Sequence, residues 1–330
     1  MLLGNCPTGF AAARAPVILP TDGDGRAEVG AGTVDSGPRV GAVTVVVVTH
    51  DSADVIDGAL MSLTTITDPS LRVVVVDNAS SDDTVERARR FPGVVVVEAG
   101  GNDGYAAGAN TGARHARPRD HVLFANADVV WEPDTVRTLS SHVSRDPSCG
   151  IAFPMLCART GELQHSIRFD PPTRRTLADA VLGGTRAGRW GVGEVERRAA
   201  AYSGQRDVDW ASGAAMLVSR ACLDDLGGLD ESFFLYSEET EFCQRARRRG
   251  WRVQFVPQAR VVHDGGGLQS VPWLYALRTR NRLRLHARSN AAPRGVMFRL
   301  ATLLHEVLRC RSSVHRAGAR AALGLKVGSR

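Results

Sequence analysis

Four short apolar runs, the first three rich in valine, recur between residues 43 and 128, and each ends abruptly in polar side chains. The first, Val43-Thr44-Val45-Val46-Val47-Val48, shows no polar alternation, as expected of a strand buried on both faces and hence of a parallel sheet. It gives way to Thr49-His50-Asp51-Ser52 and an amphipathic helix over 55–63. The second, 72–76, runs into Asp77-Asn78-Ala79-Ser80-Ser81-Asp82-Asp83. A helix over 84–90 follows, which Ser81 or Asp82 can cap. The third, 94–98, leads to Gly100-Gly101-Asn102-Asp103-Gly104-Tyr105 and a helix over 106–115; the fourth starts at Val122 and breaks at Asn126-Ala127-Asp128. An alternation β-α-β-α-β-α-β with short connections predicts a right-handed, doubly wound α/β sheet. Ligands of such sheets sit outside the carboxyl ends of the strands. Thr49 to Asp51, Asp77, Asn102 and Asp128 are therefore expected to converge on one edge.

What that edge binds is narrowed by exclusion. No GxGxxG follows the first strand, where a dinucleotide fold requires it, and no Walker A loop occurs. The glycines after the third strand let the backbone pass close to a ligand. Asn126-x-Asp128 offers a carboxamide and a carboxylate. That pair suits a divalent cation on a diphosphate, because magnesium takes one or two protein carboxylates plus substrate phosphates; a turn or helix cap explains the same residues. Further on, 207–220 introduces an apolar strand over 214–218, then a helix over 222–226. Phe234-x-Tyr236-Ser237-Glu238-Glu239-Thr240-Glu241 opens a helix running to about 249. Acids suit a helix N-terminus, and Glu241 can pair with Arg245 one turn on. Glu238 and Glu239, beside aromatics, are candidates for a catalytic carboxylate. Strands are expected at 251–257 and 261–263. His263, at the end of the second, is either a metal ligand or a structural hydrogen-bonder. Residues 159–206 read as a mobile or helical insertion near the site.

Charge is distributed unevenly. Between Arg278 and Arg330 there are 13 basic residues and one acid, Glu306, which places +12 there and leaves the rest of the +6 chain at −6. The alternation of apolar and basic residues over 296–309 suits a membrane-surface helix, a solvated basic helix being the alternative. Nucleic acid is the least favoured partner, since the main body is acidic and lacks a recognition motif. No run reaches the 18 apolar residues of a membrane span, and no signal layout opens the chain, so a cytoplasmic protein is expected, peripheral on the inner face of the cell membrane. The six cysteines, without CxxC spacing, read as reduced and mostly buried. Residues 1–40, rich in Gly, Ala, Pro and Asp, read as a disordered leader.

Taken together, Val48-Thr49-His50-Asp51, Val76-Asp77-Asn78-Ala79-Ser80-Ser81-Asp82, Asn102-x-Gly104-Tyr105 with Asn110-x-Gly112, Asn126-Ala127-Asp128-Val129, Trp210-x-Ser212-Gly213 and the 234–241 stretch closely resemble family 2 glycosyltransferases of the GT-A fold, nearest the rhamnosyltransferase-like bacterial branch. The match spans about 43–265 and implies a glycosyltransferase domain over 41–270. Its nucleotide-sugar half is 41–135 and its acceptor half 136–270, followed by a basic helical extension over 271–330. The resemblance implies inverting transfer of rhamnose or another hexose from a dTDP- or UDP-linked donor to a hydroxyl acceptor, including a polyprenyl-phosphate-linked one, with Mg2+ or Mn2+. A non-catalytic sugar-nucleotide-binding subunit is the alternative. By resemblance, Thr49, His50, Asp51, Asp77, Asn102, Gly104 and Asn110 line the nucleoside pocket. Asp128 stands at the family's metal-binding DxD position, with Asn126 as a ligand or a ribose contact, and His263 completes the metal site. Trp210, Ser212 and Gly213 face the acceptor. Glu239 is the expected base, with Glu238 as the fallback. The arginines of 278–280 could meet a donor diphosphate or a lipid phosphate.

Overall fold

The computed structural model describes residues 41–66, 70–170, 173–263, 265 and 270–327; the leader expected over 1–40 lies outside them. The elements are β1 (Val43–Thr49), α1 (Ala53–Thr64), β2 (Leu71–Asp77), α2 (Thr84–Ala88), β3 (Val94–Glu98), α3 (Tyr105–Arg114), β4 (His121–Asn126), β5 (Val129–Trp131), α4 (Thr135–Arg145), β6 (Cys149–Cys157) and β7 (Ile167–Arg168). There follow α5 (Thr173–Leu182), α6 (Gly184–Arg189), β8 (Arg206–Asp207), β9 (Trp210–Ala211), β10 (Ala215–Val218), α7 (Arg220–Leu226), α8 (Glu238–Arg248), β11 (Arg252–His263), α9 (Pro272–Ser289), α10 (Ala292–Val307) and α11 (Ser313–Ala322).

The main sheet runs β3-β2-β1-β4-β10-β6-β11-β5, with β8 on β11. β1 pairs in parallel with β2 and β4, and β2 with β3, as the uninterrupted valine runs require. β10 lies antiparallel between β4 and β6, and β5 and β8 are antiparallel to β11, so the sheet is mostly parallel. Alternate side chains of β1 enter opposite cores. Val43, Val45 and Val47 join α1 and α4 through Ile56, Leu60, Leu63 and Leu139. Val46 and Val48 join α3, α7 and α8 through Ala106, Ala109, Cys222 and Phe242. Helices therefore cover both faces, and the carboxyl ends of β1, β2 and β4 lie side by side. Thr49 is in register with Asp77, and Val48 with Asn126.

One expectation changes and two become specific. The two strands expected at 251–257 and 261–263 are one, β11. Its register on β6 shifts between Val256 and Arg260, so the strand bulges past Pro257 instead of ending there. The 159–206 insertion is helical, built on α5 and α6. The basic extension is helical. It docks on the acidic body through Arg282 with Glu194, Arg288 with Asp230 at 2.8 Å, and Asn281 Nδ2 donating to the Leu235 carbonyl at 2.9 Å. Cys149, Cys157, Cys222 and Cys243 are buried free thiols, and Cys310 is exposed.

Candidate active site

The loops after β1 and β2 are tied together through buried Asp77. Its carboxylate accepts from Thr49 Oγ1 at 2.9 Å and from the Ser80 amide and hydroxyl at 2.9 and 2.5 Å. Asp51, with φ +47°, accepts from the Ser81 amide at 2.7 Å, and His50 Nδ1 lies 2.9 Å from the Asn78 carbonyl. Asp77 and Thr49 thus shape this rim from within, while His50 and Asp51 are its exposed groups.

Gly104 joins the two halves. Its φ is +94°, and a Cβ there would lie 2.0 Å from the Phe234 carbonyl oxygen, which accepts the Tyr105 amide at 2.8 Å. Only glycine permits both the dihedral and the approach. Asn78 Nδ2 donates to the Gly104 carbonyl at 3.0 Å, and Asn102 Oδ1 accepts the Gly104 amide at 3.2 Å. Asn110 departs from the expected pocket. Its carboxamide holds the 229–231 turn, donating to the Leu229 carbonyl and Glu231 and accepting the Leu229 amide at 2.8–2.9 Å.

Asp128 and His263 do meet. The register of β5 on β11 sets His263 opposite Val129, and Nε2 comes 3.4 Å from Asp128 Oδ2. On the other side of the ring, Nδ1 is 3.2 Å from Gln164 Oε1, while Gln164 Nε2 donates to the His263 carbonyl. With the carboxamide oxygen accepting, Nδ1 carries the proton and Nε2 turns a lone pair toward the carboxylate. Two donor atoms facing each other in this way suit a divalent cation between them.

Glu238 and Glu239 open α8 directly after Tyr236 and Ser237, which hold φ of +68° and +78°. Two consecutive non-glycine residues in that region mark a strained turn, of the kind found where a fold presents functional groups. Glu238 is buried and Glu239 half-buried, and one carboxyl oxygen of each is buried without a hydrogen-bond partner among the described residues. Burial pushes both above the ordinary carboxylate range. Their mutual repulsion adds to the rise at Glu238, whereas the α8 amides and Arg168 restrain it at Glu239. Gly213 faces Glu239, since a Cβ there would lie 3.3 Å from the Glu239 Cβ. The next residue, Ala214, accepts the Asn126 amide at 2.9 Å. Acid and strand end are thereby linked through two neighbouring residues.

Sequence reasoning assigned Tyr105 no function, although it closes the Asn102-x-Gly104 stretch. Its hydroxyl is buried without a partner among the described residues. Burial raises its pKa, and the charges of Glu238, Glu239 and Asp128 raise it further. It therefore lies within electrostatic reach of both the acids and the cation ligand. A cleft of about 380 Å³ opens beside Glu239, lined by Trp210, Ser212, Tyr236, Arg168, Arg278 and Arg282. Arg168 and Arg282 carried no individual signal in the sequence. A roomier hollow of about 590 Å³, around Asp170, Arg174 and Gln244, includes none of these acids or strand ends.

Residues 38–284 match the model of a family described as glycosyltransferase like family 2. The N-acetylglucosaminyl-diphospho-decaprenol L-rhamnosyltransferase of Mycobacterium tuberculosis is 31% identical over 231 residues, which are 66% of this chain and 75% of that protein. Rhamnosyltransferase WbbL of Escherichia coli is 24% identical over 231 residues, 67% of this chain and 83% of that one. Among solved structures, the mannosyltransferase PcManGT from Pyrobaculum calidifontis, in complex with GDP-Man and Mn2+, superposes with a TM-score of 0.54 at 22% identity. That superposition covers 91% of this chain and 80% of the other, and it shows a shared fold.

Proposed function

The chain belongs to glycosyltransferase-like family 2, and from that premise we propose that it transfers rhamnose or a related hexose, with inversion, from a dTDP- or UDP-linked donor to a hydroxyl of a lipid-linked acceptor. The observation that carries this reading is the pairing of two unlike sites across Tyr105. On one side are a carboxylate and an imidazole suited to a cation, Asp128 and His263; on the other is a desolvated carboxyl, Glu239. The names of the relatives support the sugar and the lipid-linked acceptor, and favour transfer over the non-catalytic alternative.

In this reading the rim of His50, Asp51 and the Asp77-braced loop receives the nucleoside. Asp128 and His263 hold Mg2+ or Mn2+, which when bound neutralises charge on the departing diphosphate. The acceptor enters along Trp210, Ser212 and Gly213. Its hydroxyl oxygen attacks the anomeric carbon on the face opposite the diphosphate, and the bond from that carbon to the phosphate oxygen breaks. The proton passes to Glu239, and the nucleoside diphosphate leaves. One displacement with a single base requires inversion at the anomeric carbon. Tyr105 stays neutral between the two sides, because burial and three nearby carboxylates oppose its ionisation.

The test is a panel of dTDP-, UDP- and GDP-linked sugars assayed with a lipid-linked acceptor in Mn2+, Mg2+ or chelator, with the anomeric configuration of the product read by NMR. Inverted product from one donor class, lost with chelator, is expected; retained configuration or indifference to chelator would overturn the reading.

A further inference from the structure

The cleft beside Glu239 carries more positive charge than the reaction above uses. Three guanidiniums line it, Arg168 from β7 and Arg278 and Arg282 from α9. Arg282 is matched by Glu194. Glu306, also on the wall, is taken up by His315 Nδ1 at 2.7 Å and by the Tyr275 hydroxyl at 3.2 Å. Asp179 is pushed toward its neutral form by burial. The fourth acid on the wall, Glu239, is the proposed base, whose ionised form Arg168 favours, and Arg278 hydrogen-bonds the Tyr275 hydroxyl. Among the described residues neither of these two arginines has a carboxylate within ion-pair distance, and each is held in place by an aromatic ring. The Arg168 guanidinium lies 5.5 Å from the centre of Trp210, and that of Arg278 lies 4.5 Å from the centre of Tyr275. Burial disfavours the charge of Arg168, and the nearby Arg278 disfavours it further. Two half-buried guanidiniums lining one cleft are costly unless an anion bridges them. Planar forks of this kind match phosphate oxygens.

We propose that Arg168 and Arg278 form a phosphate subsite for the acceptor, which carries a phosphate or diphosphate on the sugar whose hydroxyl meets Glu239. The proposal rests on the reading of Glu239 as the base. The subsite lies along the acceptor side, with Trp210 and Ser212, and neither Asp128 nor His263 lines the cleft. The same phosphate chemistry could come from the donor's diphosphate, so the experiment separates the two sources.

Because Arg168 borders the base, Arg278 is the residue to vary, as Arg278→Gln. Arg311→Gln, exposed just beyond α10, is the control expected to behave as wild type. Two acceptors are compared, a short alkyl diphosphate-linked sugar and the same sugar as an alkyl glycoside. Binding of the first to the protein without donor is measured by calorimetry. Wild type should favour the diphosphate acceptor in kcat/KM by about 10–100-fold, the range of one or two charge-assisted hydrogen bonds. Arg278→Gln should lose most of that preference through KM, weaken calorimetric binding equally, and leave the donor Kd within about twofold. Donor affinity lost with the acceptor preference intact would assign the arginines to the donor. Unchanged preference and binding would overturn the proposal outright. If neither acceptor is glycosylated, the calorimetric arm still decides the subsite, and the failure then belongs to the proposed reaction.

Discussion

At the scale of single residues, the proposed chemistry turns on two acids, buried Glu238 and half-buried Glu239, whose environments differ. Glu239 must be ionised to accept a proton, so transfer should rise with pH through its pKa. Burial places that acid limb of kcat/KM above the ordinary carboxylate range near 4.3. Arg168 favours the ionised form, so Arg168→Gln should move the limb to higher pH; a limb unmoved in that variant would remove the arginine from the electrostatics of the base. Glu238 gives a stability prediction with a definite sign. Its folded pKa is raised, so the native state keeps a proton that the unfolded chain releases. This contribution is present below the unfolded carboxylate value and is lost as pH climbs toward the raised one. Glu238→Gln should therefore raise Tm at pH 7.5 by about 2 °C or more, and by less at pH 5, in paired calorimetric scans. An equal gain at both values would mean that charge is not the cause.

At the scale of elements, what the sequence disclosed and what it hid have physical reasons. The valine runs of β1 to β3 have only one stable placement, in a sheet covered on both faces, and their polar ends identified the edge in advance. β6 was illegible because Pro154 interrupts its apolar run. The structure tolerates that proline where β6 has passed its partner β10, which pairs only at Ile151 and Ala152, so no donor is missed on that side. The bonds of Asn110 to Leu229 and Glu231 could not be read in advance, because they are fixed by a turn 119 residues away, which no local pattern reveals. The pairing of Asp128 with His263 was legible; its supporting Gln164 was not. Gly104 is where the α3 start meets the 234 backbone, so Gly104→Ala should cost about 2 kcal/mol or more, from strain at positive φ plus collision with a carbonyl. Denaturant unfolding with unchanged stability would contradict that junction.

At the scale of the whole molecule, the −6 body and the +12 extension neutralise each other in part, so the basic surplus first serves to dock α9 against the acceptor half. One outward face of α10 is apolar. Val296, Met297, Leu300, Leu304 and Val307 of α10, with its C-cap Leu308, are all exposed, and at 3.6 residues per turn they share an arc of about 120°, opposite buried Phe298 and Thr302. Arg294 and Arg299 flank that arc, which suits an anionic bilayer surface, the setting of a lipid-linked acceptor. No helix among the described residues is long and apolar enough to cross a membrane. Leu300→Glu should therefore reduce cosedimentation with phosphatidylglycerol vesicles by about tenfold while leaving transfer to a water-soluble acceptor unchanged. Equal sedimentation of variant and wild type would leave the stripe without that role.

The division of labour between a donor side at Asp128 and an acceptor side at Glu239 is tested most directly by Glu239→Gln. Donor affinity, measured calorimetrically with Mn2+ present, should stay within about twofold, and transfer should fall by about 10²–10⁴-fold, the usual contribution of a positioned base. Transfer at the wild-type rate, or donor binding lost together with transfer, would contradict it.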